Sequence, residues 1–89
     1  MNVDYDNSFT RDIKKLKDKE ISAQLKKSIE EMKSVQNITQ LKNVKKMSGD
    51  HALYRLKIKN YRLGFECIGN DITLLRFMHR RDIYKWFPK

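Results

Sequence analysis

The sequence predicts an α+β domain: a hairpin of two N-terminal helices packed on a small antiparallel sheet, closed by a short C-terminal helical turn. Three observations predict it. Apolar residues recur three and four apart between Phe9 and Val35; apolar runs broken by two-residue turn signals fill Leu53–His79; helical spacing returns at Ile83 and Trp86 or Phe87. With 89 residues, 39% of them hydrophobic, residues 1–89 form one domain with a modest core.

Taken in order, Asn2–Tyr5 is short and can pair as an extra strand. Ser8 is a candidate N-cap for a first helix carrying Phe9, Ile13 and Leu16 at i, i+4 and i+7. Asp18 can cap a second, whose apolar stripe is Ile21, Leu25, Ile29, Met32 and Val35. Lys14, Lys15, Lys26 and Lys27 fall off that stripe and read as solvated surface. From Asn37 to His51 the pattern loosens. Ile38, Leu41, Val44 and Met47, with Lys42, Lys45 and Lys46 among them, fit either a last helical turn or an irregular strand; Ser48-Gly49-Asp50 is a turn, and His51 reads as structural or exposed.

Leu53–Tyr84 organises the rest. Tyr54–Ile58 and Tyr61–Ile68 flank Lys59-Asn60, where Asn tolerates the positive φ of a two-residue hairpin, and Gly69-Asn70 leads into Ile72–His79. The first turn sets Ile58 opposite Tyr61, Lys57 opposite Arg62, Leu56 opposite Leu63 and Arg55 opposite Gly64. Alternation then collects Leu56, Ile58, Leu63, Phe65, Cys67, Ile72 and Leu74 on one face. Arg55, Lys57, Arg62, Gly64, Thr73, Leu75, Phe77 and His79 fall on the other, and Arg76 is left on the apolar side, where it does not fit. Lys57 facing Arg62 costs a sheet roughly some tenths of a kcal/mol. A bound polyanion reverses that sign by accepting charge-assisted hydrogen bonds from both; a solvated basic face is the alternative. Gly64 leaves the sheet floor open to a ligand, and Glu66, opposite Thr73, can tie down a neighbouring arginine. In the tail, Tyr84 follows Arg80 by four residues and shares its side of a helix. An imidazole, a guanidinium and a phenol thus return to the rim of the basic face.

The net charge is +9, and residues 53–89 hold nine Lys/Arg against three acids. Such a balance favours nucleic acid, an anionic membrane or an acidic protein. No apolar run approaches the roughly 20 residues that span a membrane, and Met1–Asp6 is polar and acidic, unlike a signal peptide. One cysteine, Cys67, excludes an internal disulfide or a multi-cysteine zinc site and reads as a small core residue of a cytoplasmic protein. His51, His79 and the scattered acids show no ligand spacing, so neither metal nor cofactor is expected.

The order helix hairpin, YRLKI, YRLGFE, then an apolar strand ending HRRDIY resembles the RelE/ParE superfamily of bacterial and archaeal toxins over nearly the whole chain. Within it the pattern is most similar to the RelE-type branch, ribosome-dependent mRNA endonucleases paired with an antitoxin. The resemblance implies a microbial-ribonuclease-like fold, with the positive strand pair at Arg55 and Lys57 and the YR arginine at Arg62. It puts the HR arginine at Arg80, with Arg81 the alternative, and the following tyrosine at Tyr84. Where the family pattern often has lysine this chain has Arg55, a poor proton acceptor, which suits a phosphate clamp.

Cleavage of RNA by internal 2′-OH attack needs a proton acceptor, charge stabilisation at a pentavalent phosphorane and a donor for the leaving 5′-oxygen. Arg62 and Lys57 can hold the charge. Imidazole alone titrates near neutrality unaided, which nominates His79. Tyr84 serves either as a base, if nearby cations favour its phenolate, or as a stacking surface for an mRNA base. The expected catalytic set is Lys57, Arg62, His79, Arg80 and Tyr84, and the RNA-binding set Arg55, Lys57, Arg62 and Arg81. The expectation is a cytoplasmic toxin of a toxin–antitoxin module: a metal-independent endoribonuclease that cuts mRNA on the ribosome. Its partners would be mRNA, ribosomal RNA and a cognate antitoxin, with operator DNA reached only through the antitoxin and no membrane. Two alternatives stand beside it: a ParE-like non-catalytic inhibitor of DNA gyrase, against which the HRRxxY ending argues, and a non-catalytic basic RNA-binding module.

Overall fold

A computed structural model describes residues 1–47 and 52–87; the expected Ser48-Gly49-Asp50 turn and His51 lie outside them. The elements are β1 (Asn2–Tyr5), α1 (Asn7–Lys15), α2 (Lys19–Ser34), a 3-10 turn (Ile38–Gln40), β2 (Val44–Lys46), β3 (Leu53–Ile58), β4 (Tyr61–Ile68), β5 (Asp71–His79) and α3 (Arg80–Trp86). The five strands lie in the order β1-β5-β4-β3-β2. Asn2–Tyr5 is indeed a strand, and it runs parallel to β5, so the sheet is mixed where an antiparallel one was expected.

The first helix is capped by Asp6 rather than Ser8. Asp6 accepts from the Ser8 N–H at 3.1 Å and from its hydroxyl, and these bonds hold the Asp6 carboxyl below its ordinary range. Ser8 Oγ also lies 2.8 Å from the Leu75 carbonyl, the alternative acceptor for its single hydroxyl proton, which sets α1 beside the sheet. Asp18 caps α2 as expected, accepting from the backbone of Glu20 and Ile21 at 2.9 and 3.1 Å. The loosened stretch divides into both of its readings: Ile38–Gln40 is a helical turn with an Asn37–Gln40 capping box, and Val44–Lys46 is an edge strand on β3.

Both N-terminal helices cover one face of the sheet. Phe9, Ile21, Leu25 and Met32 pack there on Leu56, Ile58, Leu63, Phe65, Ile72, Leu74 and Phe77. Each such buried side chain contributes about 1.5–3 kcal/mol. Cys67 sits half-buried at the edge of this core, and burial pushes its thiol up.

The β3–β4 register is the expected one, from Ile58↔Tyr61 to Arg55↔Gly64. Its positive φ falls on Lys59 (+52°), not Asn60, and the Lys59 ammonium pairs with Glu20 at the start of α2. The β4–β5 register departs from simple alternation. Phe65 pairs with Leu74 but Gly64 with Arg76, leaving Leu75 as an extra residue in a bulge. Beyond it every side chain changes face. Phe77 and His79, expected on the basic face, move to the helix-covered one, opposite Leu63 and Tyr61; Arg76, expected on the apolar side, moves the other way, and Met78 lies across from Arg62. The reason is energetic. Phe77 becomes 3% exposed in the core, whereas an unpaired Arg76 there would have cost several kcal/mol.

β1 ends opposite Leu74, leaving the next stretch of β5 without a strand neighbour on that side. Asp12 of α1 fills the gap. It accepts the Phe77 N–H at 2.9 Å and, with both oxygens, Arg76 Nε and Nη2 at 2.9 and 3.0 Å. This pairing raises Arg76 above its ordinary value.

The third helix packs on the opposite face through Ile83 and Phe87, both buried, while Trp86 stays half-exposed. Phe87 lies over Gly64 so closely that a Cβ there would meet its ring at 2.8 Å. Gly64 is therefore the seat of Phe87 and not an opening for a ligand. Glu66 lies across from Thr73 and Leu53, and it forms no ion pair among the described residues.

Gly64→Ala should expel the Phe87 ring and destabilise the fold by about 1–3 kcal/mol, the usual cost of overpacking. Urea denaturation reads this as a lowered midpoint; an unchanged midpoint would mean that Phe87 does not seat there.

Candidate nucleic-acid interface

β3 and β4 place Arg55 and Lys57 on the face opposite the helix hairpin, with Arg62 directly across from Lys57. The edge strand β2 adds Lys45, across from Arg55. Lys45, Arg55, Lys57 and Arg62 line a cleft of about 410 Å³ with Asn43 and Val44. Lys45 was not among the expected site residues. Its signal was the irregular-strand reading of the stretch around Val44, which the loose spacing left level with a last helical turn.

Arg62 is the unusual member. It is only 9% exposed, and its Nη1 donates to the Lys59 and Tyr61 carbonyls at 3.0 and 2.9 Å. Among the described residues its buried Nε has no hydrogen-bond partner and no carboxylate pairs with it. An unsatisfied buried donor costs about 1–3 kcal/mol, and the Lys57 ammonium across the ladder adds repulsion rather than relief.

The same turn positions the start of α3: the Arg80 N–H donates to the Asn60 carbonyl at 2.7 Å. Arg62 and Arg80 are therefore anchored to adjacent carbonyls of one hairpin. Arg80 and Arg81 are exposed and make no ion pair among the described residues. One turn on, Tyr84 is 54% exposed, and the Arg55 guanidinium lies 5.5 Å from its ring centroid. So Arg55, Lys57 and Arg62 share one cleft, with Tyr84 reached through Arg55 and Arg80 through the hairpin turn.

His79 is not in that group. Its Nδ1 accepts the Arg81 N–H at 3.2 Å, capping α3, and its ring meets Tyr61 edge-on at 5.7 Å. Its surroundings are Asp12, Lys15, Leu16, Phe77 and Asp82, beyond the bulge on the other face. Among the described residues no group of three His, Cys, Asp or Glu is arranged to hold a metal, and no helix is long and apolar enough to cross a membrane.

The family described as "ParE toxin of type II toxin-antitoxin system, parDE" matches residues 3–84. Toxin RelE3 of Methanocaldococcus jannaschii is 36% identical over 89 residues, covering 99% of this chain and 100% of that protein. The chain belongs to the RelE/ParE toxin superfamily. As a RelE/ParE toxin it is a component of a toxin–antitoxin module.

Solved structures agree with the toxin fold. The RelB-RelE antitoxin-toxin complex from Methanococcus jannaschii matches with a TM-score of 0.82 at 32% identity, over 96% of this chain and 99% of that one. The intact Escherichia coli RelBE complex matches with a TM-score of 0.69 at 23% identity, over 88% and 94%. At that identity the likeness speaks for the fold alone.

Four cations line the cleft of this toxin, and single-stranded nucleic acid releases about 0.7 counterions per neutralised phosphate. Affinity for a short single-stranded RNA should therefore fall with salt at a log–log slope of about −3, measured by fluorescence anisotropy. A slope near zero would mean that these side chains do not meet phosphates.

Proposed function

We propose that this toxin is a ribosome-dependent endoribonuclease that cuts mRNA by 2′-OH attack on the scissile phosphate. One observation carries the reading: a buried guanidinium, Arg62, without a carboxylate partner among the described residues, faces Lys57 in a cleft that also holds Lys45 and Arg55. A sheet seeking stability alone would place no such group there; a phosphorane with its extra negative charge is what the arrangement suits.

As the 2′-oxygen bonds to phosphorus its proton passes to solvent water, the bond to the 5′-oxygen breaks, that oxygen takes a proton back from solvent, and a 2′,3′-cyclic phosphate is left. Lys57 and Arg62, held on rigid strands, stabilise the phosphorane, and Arg55 clamps the neighbouring backbone. Arg80 adds a cation from the start of α3 and Arg81 binds RNA. Tyr84, half-exposed beside Arg55, stacks on or orients the base at the cut. His79 caps α3 on the other side of the sheet, and the reading gives it no proton to move. The charge a metal supplies elsewhere comes here from guanidinium and ammonium groups.

The relative solved as a RelB-RelE antitoxin-toxin complex at 32% identity supports a cognate antitoxin, through which operator DNA would be reached; the site of action would be the cytoplasm. The parDE description of the matched family favours a second reading, a protein-binding inhibitor of DNA gyrase without catalysis.

Primer extension on a message translated in an extract separates the two. The natural chain should produce cuts inside codons, and Arg62→Ala and Lys57→Ala should each slow them by about 10²–10³. An uncut message would reject the nuclease. Cutting unaffected by either substitution would reject this site.

A further inference from the structure

Where Tyr84 stands beside Arg55 at the rim of the cleft depends on where the seven-residue helix α3 lies. At 3.6 residues per turn, side chains two apart point to opposite flanks. Tyr84 accordingly meets Arg55 on the cleft side, whereas Trp86 meets Arg76, whose guanidinium carbon lies 5.9 Å from the indole centroid. Arg76 is not free to wander. Asp12, 8% exposed, grips it through two oxygens and takes the Phe77 N–H as well.

Resting on the ribonuclease reading above, we propose that Asp12, Arg76 and Trp86 form a positioning relay that fixes the far end of α3 and so sets where Tyr84 stands relative to the scissile phosphate. The near end is held by the bond from Arg80 to the Asn60 carbonyl, and the underside by Phe87 on Gly64. Ile83, fully buried, seats the middle of the helix on the sheet, and all three holds lie along its underside, leaving its lateral tilt to contacts on its flanks. A contact on the flank away from the cleft fixes that tilt, and Trp86 makes it. The relay also accounts for an aromatic side chain left 47% exposed over a guanidinium, a poor way to build a core and a good way to orient a short helix. None of the three touches the cleft, so they act through Tyr84 and are positioning residues.

Trp86→Ala removes the contact at little cost to folding, because the side chain is half outside. It should lower the rate of cutting at saturating message by between about 10- and 100-fold, the penalty of a misplacement near 1 Å, with KM and denaturation midpoint little changed. Trp86→Phe should restore most of the rate. Trp86 is the only tryptophan of the chain, so its emission reports the other half of the relay: Asp12→Asn and Arg76→Lys should each shift it and slow cutting in parallel. A natural chain that cuts nothing defeats the functional reading, and the relay with it. A natural chain that cuts while Trp86→Ala cuts at the same rate defeats the relay alone, as does a loss that Trp86→Phe fails to rescue.

Discussion

One extra residue, Leu75, governs what each face of this sheet can do. Up to Leu74 the alternation of β5 serves the core; past the bulge it is inverted. Without that inversion Phe77 would stand in water and Arg76 among the apolar side chains beneath the helix hairpin. The bulge sacrifices local ladder geometry and returns a buried aromatic, a two-pronged Asp12–Arg76 pair and a site for α3 on the opposite face.

The two faces then divide the work. The helix-covered face holds the continuous apolar cluster from Phe9 to Phe77 and supplies most of the stability. The other face concentrates charge that does not favour folding: Lys57 opposite Arg62, and Lys45 opposite Arg55. A small domain tolerates that frustration only because the strands are fixed from behind. The price is most evident at Arg62, whose Nε stays buried without a hydrogen-bond partner among the described residues.

The β3–β4 turn links these halves. Lys59 adopts a left-handed conformation that a side chain rarely takes, and its carbonyl and that of Tyr61 orient Arg62. The Asn60 carbonyl receives α3, and the Lys59 ammonium reaches α2 through Glu20. Local backbone strain thus coincides with the point where strand, helix and charge are brought into register.

Composition and spacing alone settled the α+β class, the Asp18 cap, the three-strand meander and the full β3–β4 register, because each follows from local turn chemistry and period-2 alternation. They also put Arg55, Lys57 and Arg62 on one face, since three close positions in a hairpin leave no freedom to do otherwise. The side on which His79 falls, the covering of Gly64 by Phe87, the recruitment of Lys45 and the parallel pairing of β1 were decided only by the tertiary structure. A bulge has no local sequence signal. It arises where burying Phe77 and pairing Arg76 with a carboxylate 64 positions away outweigh an unbroken ladder, and that balance exists only once the helices have docked.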